Sequence, residues 1–256
     1  MAQTSLNEGH FARKQLFSKS GLIRWSHRRR FEVAVEKSSA FAGRRVLDFG
    51  CGDATYFAML LESPYAPREA VGAEIDPNVV AQNRVRFADQ PKISFVEQNE
   101  LEGSVTASSF DAVVCMEVFE HLTDPDRYLD LIFKLLKPGG RLLLSVPVET
   151  GPPVVFKQAV RRVAGWRKIG DYKYTLPYTL GELGRSVFAG SDQHIPRVTH
   201  HAPGGATFHC HKGFNWMTLR DRIAKRFTID RISASPVAWL PPALSSQVWF
   251  EAHKAA

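Results

Sequence analysis

The fold is decided by one stretch of the sequence, Val46-Leu47-Asp48-Phe49-Gly50-Cys51-Gly52-Asp53-Ala54-Thr55-Tyr56-Phe57. Apolar residues come first, an acidic residue follows, then a Gly-x-Gly turn, and Asp and Thr open a helical pattern. This order predicts a buried strand that runs into a tight turn, because glycine lets the backbone bend sharply and lets a ligand approach it closely. The alternative is an ordinary turn between a strand and a helix of a doubly wound domain.

Two residues of this turn indicate which ligand it suits. Thr55 stands where the dinucleotide fingerprint G-x-G-x-x-G requires its third glycine. Asp48 lies two residues before the first glycine, and a carboxylate there would repel a pyrophosphate. The turn therefore favours a ligand that carries positive charge.

Composition sets wide limits. A chain of 256 residues fits one domain with a sizeable insertion, or two small domains, and its 44% hydrophobic residues are ordinary for a globular protein. No stretch approaches the roughly 18 consecutive apolar residues of a membrane span, and residues 1–8 lack the apolar core of a signal peptide, so we expect a cytoplasmic protein. The three cysteines form no C-x-x-C pair. A net charge of +7 favours anionic partners such as nucleic acid, phosphorylated metabolites or a lipid surface.

Strand and helix patterns alternate from Val46 to residue 147. Such alternation predicts a parallel sheet that binds its ligands at the carboxyl ends of the strands. Two more strands are predicted at 227–235 and 247–253. The second strand, 70–75, places Glu74 22 positions after Gly52, where a carboxylate can accept hydrogen bonds from both hydroxyls of a ribose. Asp76 followed by Pro77 predicts a helix cap.

The regions at either side of this core are less regular. We expect residues 1–25 to form a flexible arm and residues 26–256 to form one domain, with a helix that starts near Ser26. The three arginines Arg28, Arg29 and Arg30 indicate either a solvated helix start or a clamp for a carboxylate or phosphate, and at most two of them can face one site.

An insertion after the fifth strand, residues 149–208, is predicted to be mainly helical and to act as an acceptor-binding element or lid. Its segment 153–169 is an amphipathic helix in the prediction. We expect its apolar side to pack on the domain. The alternative is that it lies over a lipid-linked or anionic acceptor, with peripheral membrane contact.

Four segments, 47–52, 110–113, 120–122 and 136–140, match in order and spacing a known family. In them the chain resembles class I S-adenosylmethionine (SAM)-dependent methyltransferases, and most of all the branch of ubiquinone-biosynthesis O-methyltransferases. The resemblance implies a Rossmann-like α/β fold with a seven-stranded, mostly parallel sheet and an antiparallel last strand, and SAM as the methyl donor. The residues expected to bind the cofactor are Asp48, Gly50, Cys51, Gly52, Glu74, Ile75, Asn99 and Met116.

Glu117, Glu120 and His121 follow the fourth strand and are the candidate catalytic residues. Their spacing would place them on one face of a helical turn. Together with His211, from a histidine-rich stretch, they could bind a divalent metal ion that lowers the pKa of a substrate oxygen. Similar residues occur in the terminal 2′-O-methyltransferases of small RNAs. The alternatives are that His121 is a metal-free general base and that it has a structural role.

The predicted function is that of an enzyme, a SAM-dependent methyltransferase that methylates an oxygen of a small or lipid- or glycan-linked acceptor by in-line displacement. The first alternative is a metal-dependent RNA 2′-O-methyltransferase, and the second is a non-catalytic module that kept the fold. The sequence leaves open the acceptor, the methylated atom and the oligomeric state.

Overall fold

A seven-stranded sheet runs through the protein, with helices on both of its faces. The computed structural model describes residues 9–17, 21–103, 107–166, 177–201 and 207–256. In chain order the elements are α1 (His10–Gln15), α2 (Gly21–Lys37), β1 (Arg45–Phe49), α3 (Thr55–Leu61), β2 (Glu69–Glu74), α4 (Pro77–Arg86), β3 (Ile93–Glu97), β4 (Phe110–Met116), α5 (Pro125–Leu135), β5 (Leu136–Pro147), α6 (Pro153–Trp166), α7 (Leu180–Val187), β6 (Thr199–His201), β7 (Thr207–His209), α8 (Trp216–Ala224), β8 (Thr228–Ser235) and β9 (Gln247–His253).

The strand order is β3-β2-β1-β4-β5-β9-β8. Strands β1 to β5 pair in parallel, whereas β9 is antiparallel to both of its neighbours. The fold prediction is therefore confirmed, including the antiparallel last strand. The order reverses between β1 and β4, and a crevice for ligands forms at such a switch point.

Alternation along the central strands sends side chains to two hydrophobic layers. In β4, Val113 and Cys115 pack with the side chains of α5 and α8, whereas Ala112 and Val114 pack with those of α2 and α3. Because both faces are covered, the central strands are nearly continuous apolar runs. The acidic Asp48 stands out for this reason: it lies in the same buried run and is 1% exposed.

Two helices beside the cavity start at an aspartate cap. The Asp76 carboxylate accepts a hydrogen bond from the Asn78 amide, which confirms the predicted cap of α4. Asp124 does the same for α5 by accepting from the Arg127 amide. These caps fix where the chain leaves the carboxyl ends of β2 and β4, beside the ligand crevice.

The amino-terminal region differs from the predicted arm. Helix α1 lies within it, and α2 begins at Gly21 rather than near Ser26. Ala12 and Leu16 are buried, and the Ala12 amide donates to the Asp53 carboxylate at 2.9 Å. This contact ties α1 to the turn after β1, a long-range pairing that polar local sequence does not reveal. Residues 1–8 and 18–20 lie outside the described residues.

The insertion contains the helices α6 and α7, and it also contains the β6–β7 hairpin. The sequence analysis did not predict the hairpin. Helix α6 is formed as expected from Pro153 onward, although residues 167–169 of the prediction lie outside the described ones. Its orientation contradicts the expectation: the apolar side faces solvent and the basic Lys157 and Arg161 face the protein. The cause is a buried acidic partner, Glu149, which a local hydrophobic pattern cannot reveal. Among the described helices, none is long and apolar enough to cross a membrane.

Helix α5 offers a test of the core. Ile132 is completely buried between α5 and the sheet, so Ile132→Ala should lower the free energy of unfolding by about 2 to 5 kcal/mol because it leaves a cavity. The matched control is Val85→Ala on α4, where the side chain is 79% exposed and a change within about 0.5 kcal/mol is expected. Urea unfolding followed by circular dichroism measures both, and equal losses would contradict this account of the core.

Candidate active site

A cavity of about 780 Å³ opens at the carboxyl ends of β1, β2 and β4. Helix α2 closes one side of it and the β7 strand with the residues after it closes another. Its lining includes seven of the eight predicted cofactor residues and all four predicted catalytic or metal residues, namely Asp48, Gly50, Cys51, Gly52, Glu74, Ile75, Met116, Glu117, Glu120, His121 and His211. The structure thus brings together residues that lie up to 163 positions apart in the sequence.

The turn after β1 is held in a conformation that needs glycine. Gly50 and Gly52 have φ angles of +77° and +53°. The amides of Gly50 and Cys51 both donate to the Ala73 carbonyl, at 2.8 and 3.0 Å, and this anchors the turn to β2. A Cβ atom on Gly50 would lie 2.4 Å from Cγ2 of Val118. Glycine is therefore required at Gly50 for two reasons: the φ angle is positive, and a Cβ atom would have no space beside Val118.

Asp48 presents a buried carboxylate to this cavity. Its Oδ1 has no hydrogen-bond partner among the described residues. Burial, together with the nearby charge of Glu74, raises the pKa of Asp48 to about 8. A cationic ligand in the cavity would reverse this shift, since it favours the charged form of the carboxyl.

Glu74 lies where the sequence predicts a ribose-binding carboxylate. Its Oε2 accepts from the Gly52 amide at 2.9 Å, and its Oε1 accepts from the Ile75 amide at 2.8 Å. The side chain thus spans the ends of β1 and β2 on the cavity wall. Beside it, Ile75 is exposed, whereas Cys51 is buried and its thiol has a pKa raised well above the usual value by burial.

Asn99 departs from the prediction. It is exposed and does not line the cavity, whereas its neighbour Gln98 does. The reason is the 3₁₀ helix Gln98–Glu102 after β3, which a capping box between Glu97 and Glu100 fixes in place. Adjacent residues of a helical turn point in different directions, so a shift of one position changes which side chain faces the ligand.

The segment after β4 is not the helical turn that the spacing of Glu117, Glu120 and His121 predicts. Glu117 has a φ angle of +57°, and the segment turns through hydrogen bonds from His121 to Val118 and from Leu122 to Phe119. Glu117 and Glu120 consequently have different surroundings: other side chains hold Glu117, whereas the carboxylate of Glu120 has no hydrogen-bond partner among the described residues. Because Glu117 is not a glycine, its left-handed backbone conformation could not be predicted from the sequence.

Glu117 is held by side chains from three other elements, including Ser145 of β5, whose hydroxyl donates to Oε1 at 3.4 Å. Gln247 donates to its Oε1 at 2.7 Å, and Nη1 of Arg30 lies 3.4 Å from its Oε2. Arg30 is thus the one member of the arginine triplet that lines the cavity, since Arg28 and Arg29 pair with glutamates of α2 itself. The sequence analysis allowed one or two of the three arginines to face a site but did not indicate which, and it did not identify Gln247.

Glu120, His121 and His211 form a compact cluster whose ligand atoms all lie within 4.8 Å of one another. Glu120 is completely buried, and neither of its carboxylate oxygens has a hydrogen-bond partner among the described residues. Burial and the charge of Glu117 raise the pKa of Glu120 well above its usual value. The ring of His121 contacts the carbonyl of His209 through Nδ1 at 2.9 Å, which leaves Nε2 directed toward Oε1 of Glu120 at 3.8 Å. Burial lowers the pKa of His211 to about 3 and also lowers that of His121, so both rings are neutral near neutral pH.

Comparison with known proteins identifies what this cavity belongs to. The family model described as a methyltransferase domain matches residues 13–188. The chain belongs to this methyltransferase family. Its fold is that of the class I SAM-dependent enzymes, and the resemblance noted in the sequence is confirmed.

Two curated relatives are both named ubiquinone biosynthesis O-methyltransferase. The protein of Xanthomonas axonopodis pv. citri is 38% identical over 123 residues, which cover 46% of this chain and 48% of that protein. The protein of Cereibacter sphaeroides is 36% identical over 161 residues, which cover 60% of this chain and 62% of that protein. The chain thus matches about half to two thirds of the length of these relatives.

Among solved structures, the N-methyltransferase NodS of Bradyrhizobium japonicum, in complex with S-adenosyl-L-homocysteine, has the same fold. Its TM-score is 0.53 at 15% identity, and the alignment covers 90% of this chain and 88% of that one. At this identity the likeness concerns the fold alone. The fold therefore does not select which atom is methylated.

The residues of the methyltransferase cavity fit SAM. The unpaired Oδ1 of Asp48 is a buried acceptor that suits a ligand with positive charge, and SAM carries a sulfonium. The turn at Gly50 lets a ligand lie against the backbone because no side chain occupies that space. Glu74 lies at the adjacent strand end, in reach of a ribose.

Gly50→Ala should weaken SAM binding by about tenfold or more, because alanine is strained at this φ angle and its methyl group would meet Val118. The control is Gly181→Ala on α7, where the φ angle is ordinary and no atom lies within 4 Å of the new methyl group. Isothermal titration calorimetry gives both affinities, and an unchanged affinity of the Gly50 variant would contradict the assigned role of the turn.

SAM binding at pH 7 should release most of one proton, because Asp48 has a pKa of about 8 in the free protein and a cationic ligand in contact with it would favour the ionised form. Affinity should accordingly rise as the pH increases from 6.5 toward 8.5. Binding enthalpies measured in buffers of different ionisation enthalpy count the protons. Asp48→Asn should abolish the release while the exposed Asp89→Asn keeps it, and release that persists without Asp48 would rule this group out.

Proposed function

We propose that the protein methylates an oxygen atom of a small or lipid- or glycan-linked acceptor. The observation that carries this proposal is a cluster in the wall of the cavity: the buried, unpartnered carboxylate of Glu120 beside the neutral rings of His121 and His211. A hydroxyl acceptor must lose its proton during transfer, and this cluster is suited to holding or moving it.

SAM supplies a methyl group bound to a good leaving group, so the protein must chiefly align the acceptor oxygen and take its proton. Alignment is worth several kcal/mol in such displacements, and a general base adds roughly 10² to 10⁴-fold. His121 is fixed by its contact with the His209 carbonyl, which turns Nε2 toward Glu120, where this proposal places the acceptor. Phe208 and Thr207 of β7 also line the cavity, so the insertion 149–208 shapes the acceptor site through β7 in this proposal.

A divalent metal ion is the second part of the proposal, with Glu120, His121 and His211 as its ligands. One carboxylate and two neutral imidazoles suit a transition-metal ion, which would lower the pKa of a coordinated hydroxyl. Glu117, the fourth ligand in the sequence prediction, is not in this cluster because Arg30 and Gln247 hold it. In our proposal Glu117 instead positions Arg30 at the cavity wall.

The RNA 2′-O-methyltransferase reading has less support. The similarity on which it rested includes Glu117 as a ligand, and this carboxylate has other partners here. Among the described residues, two arginines line the cavity, Arg30 and Arg127. They pair with Glu117 and Glu102 and form no open basic stripe along it. RNA is therefore one arm of the assay described next rather than the leading acceptor.

The test combines metal content with methyl transfer. Purified protein should bind about one divalent ion, and His121→Ala and Glu120→Gln should each reduce metal affinity by about tenfold or more, as measured by calorimetry and elemental analysis. The exposed His194→Ala is the control and should keep the metal. Transfer from labelled SAM to phenolic acceptors, lipid extract or RNA, each with and without chelator, then identifies the acceptor class.

Each result has a defined meaning. Loss of transfer with chelator and in His121→Ala would support the metal-assisted reaction. Transfer that continues with chelator but is lost in His121→Ala would indicate that His121 acts as a metal-free general base. Transfer that survives both, or that occurs only on RNA, would overturn the proposal.

A further inference from the structure

Helix α6 is attached to the protein by its polar side. Arg161 donates to both carboxylate oxygens of Glu149, at 2.8 and 2.6 Å, and Lys157 donates to the Val148 and Ser246 carbonyls at 2.8 and 2.9 Å. Glu149 is completely buried. The apolar side chain of Val154 is buried on this inner side as well.

The opposite side of α6 is apolar and faces solvent. Val155, Phe156 and Trp166 are 46%, 69% and 81% exposed. The exposed Val160 and Ala159 lie between them on the same outer side, since residues three and four apart share a helix face. The arrangement is the reverse of an ordinary surface helix, which buries its apolar stripe and exposes its charges.

This orientation is fixed by the buried ion pair rather than by the hydrophobic effect. A rotation that buried Phe156 would withdraw Arg161 and Lys157 from Glu149 and leave that carboxylate buried and uncompensated. The protein thus keeps large apolar side chains at the surface by a specific contact. A contiguous exposed patch of this kind marks an interaction site.

Neighbouring segments add to the exposed apolar area. The Gly151 amide, just before α6, donates to the Ser186 carbonyl of α7, whose ends carry Leu180 and Phe188, 90% and 88% exposed. Lys157 joins α6 to Ser246, and the loop before that residue carries Trp239, 83% exposed. Four aromatic side chains are therefore exposed: Phe156 and Trp166 on α6 itself, and Phe188 and Trp239 on the segments that contact it.

Charge indicates what covers this side. Residues 153–168 contain five basic residues and no acidic one. Of these, Arg162 is exposed on α6 next to the apolar side. Tryptophan and phenylalanine on one side of a helix, with Lys and Arg around them and no acidic residue, suit the boundary between the head groups and acyl chains of an anionic bilayer.

We propose that α6 docks this protein on an anionic lipid surface, with Phe156 and Trp166 inserted among the lipids and Arg162 on the head groups. The docking does not depend on the methyl-transfer proposal. If that proposal holds, docking brings the cavity to an acceptor embedded in the membrane, which selects the lipid-linked class.

The experiment is flotation of the 256-residue chain with vesicles. Binding is expected to vesicles of phosphatidylcholine and phosphatidylglycerol, to fall with added salt, and to be much weaker with phosphatidylcholine alone. The double variant Phe156→Ser with Trp166→Ser should lower the partition coefficient by about tenfold or more, because both side chains lose their apolar area. Val85→Ser, a change of an exposed apolar residue on α4, is the matched control and should bind like the unchanged protein.

Thermal unfolding and SAM calorimetry accompany the assay, and neither should change in the double variant because its two side chains are exposed and do not line the cavity. Failure of the unchanged protein to float with anionic vesicles, or equal flotation of the double variant, would overturn the proposal. Dissociation of a dimer by the double variant without vesicle binding would assign the surface to a second copy of the chain instead. Loss of methyl transfer with intact flotation would affect the proposed function alone.

Discussion

Three buried carboxylates lie at the carboxyl ends of the central strands, and the partners that each one has determine its role in the protein. An ionised carboxylate in the interior is costly unless cations or hydrogen-bond donors surround it. Glu149 has both, since Arg161 and Lys157 hold it and its pKa is lowered below the usual value despite its burial. Asp48 and Glu120 keep carboxylate oxygens without a hydrogen-bond partner among the described residues, and burial raises the pKa of each.

Whether such a carboxylate has partners within the fold indicates whether its role is structural or functional. A carboxylate that the fold has satisfied, as at Glu149, attaches an element to the sheet. A carboxylate that the fold has left unsatisfied in a cavity is available to a cationic ligand. Asp48 and Glu120 both line the same cavity, Asp48 from β1 and Glu120 from the segment after the neighbouring strand β4. We assign the cofactor to the wall that Asp48 forms, and the acceptor and a metal ion to Glu120 with its two neutral histidines.

The insertion shows how one such contact changes the meaning of a sequence pattern. Amphipathic periodicity in residues 153–166 indicates a helix, and the helix is there. Which of its sides faces the protein depends on a carboxylate just outside the helix, and the pairing of Glu149 with Arg161 places the apolar side outward. The membrane-docking proposal arises from this reversal, because a helix packed in the usual way would expose only charge.

The sequence by itself determined the parallel sheet, the strand-turn-helix at Val46–Phe57, the cap at Asp76 and the cofactor class, because these follow from local periodicity, glycine spacing and four segments in register. Only the tertiary structure decided that Gln98 rather than Asn99 faces the cavity, that Arg30 and Gln247 hold Glu117 away from the histidine cluster, and that α6 presents its apolar side to solvent. The physical reason is the same in each case. A backbone turn of one residue, a left-handed φ angle or a partner outside the element sets the direction of a side chain, and local periodicity indicates none of these. That partner is 12 residues away for Arg161 and Glu149 and 130 residues away for Gln247 and Glu117.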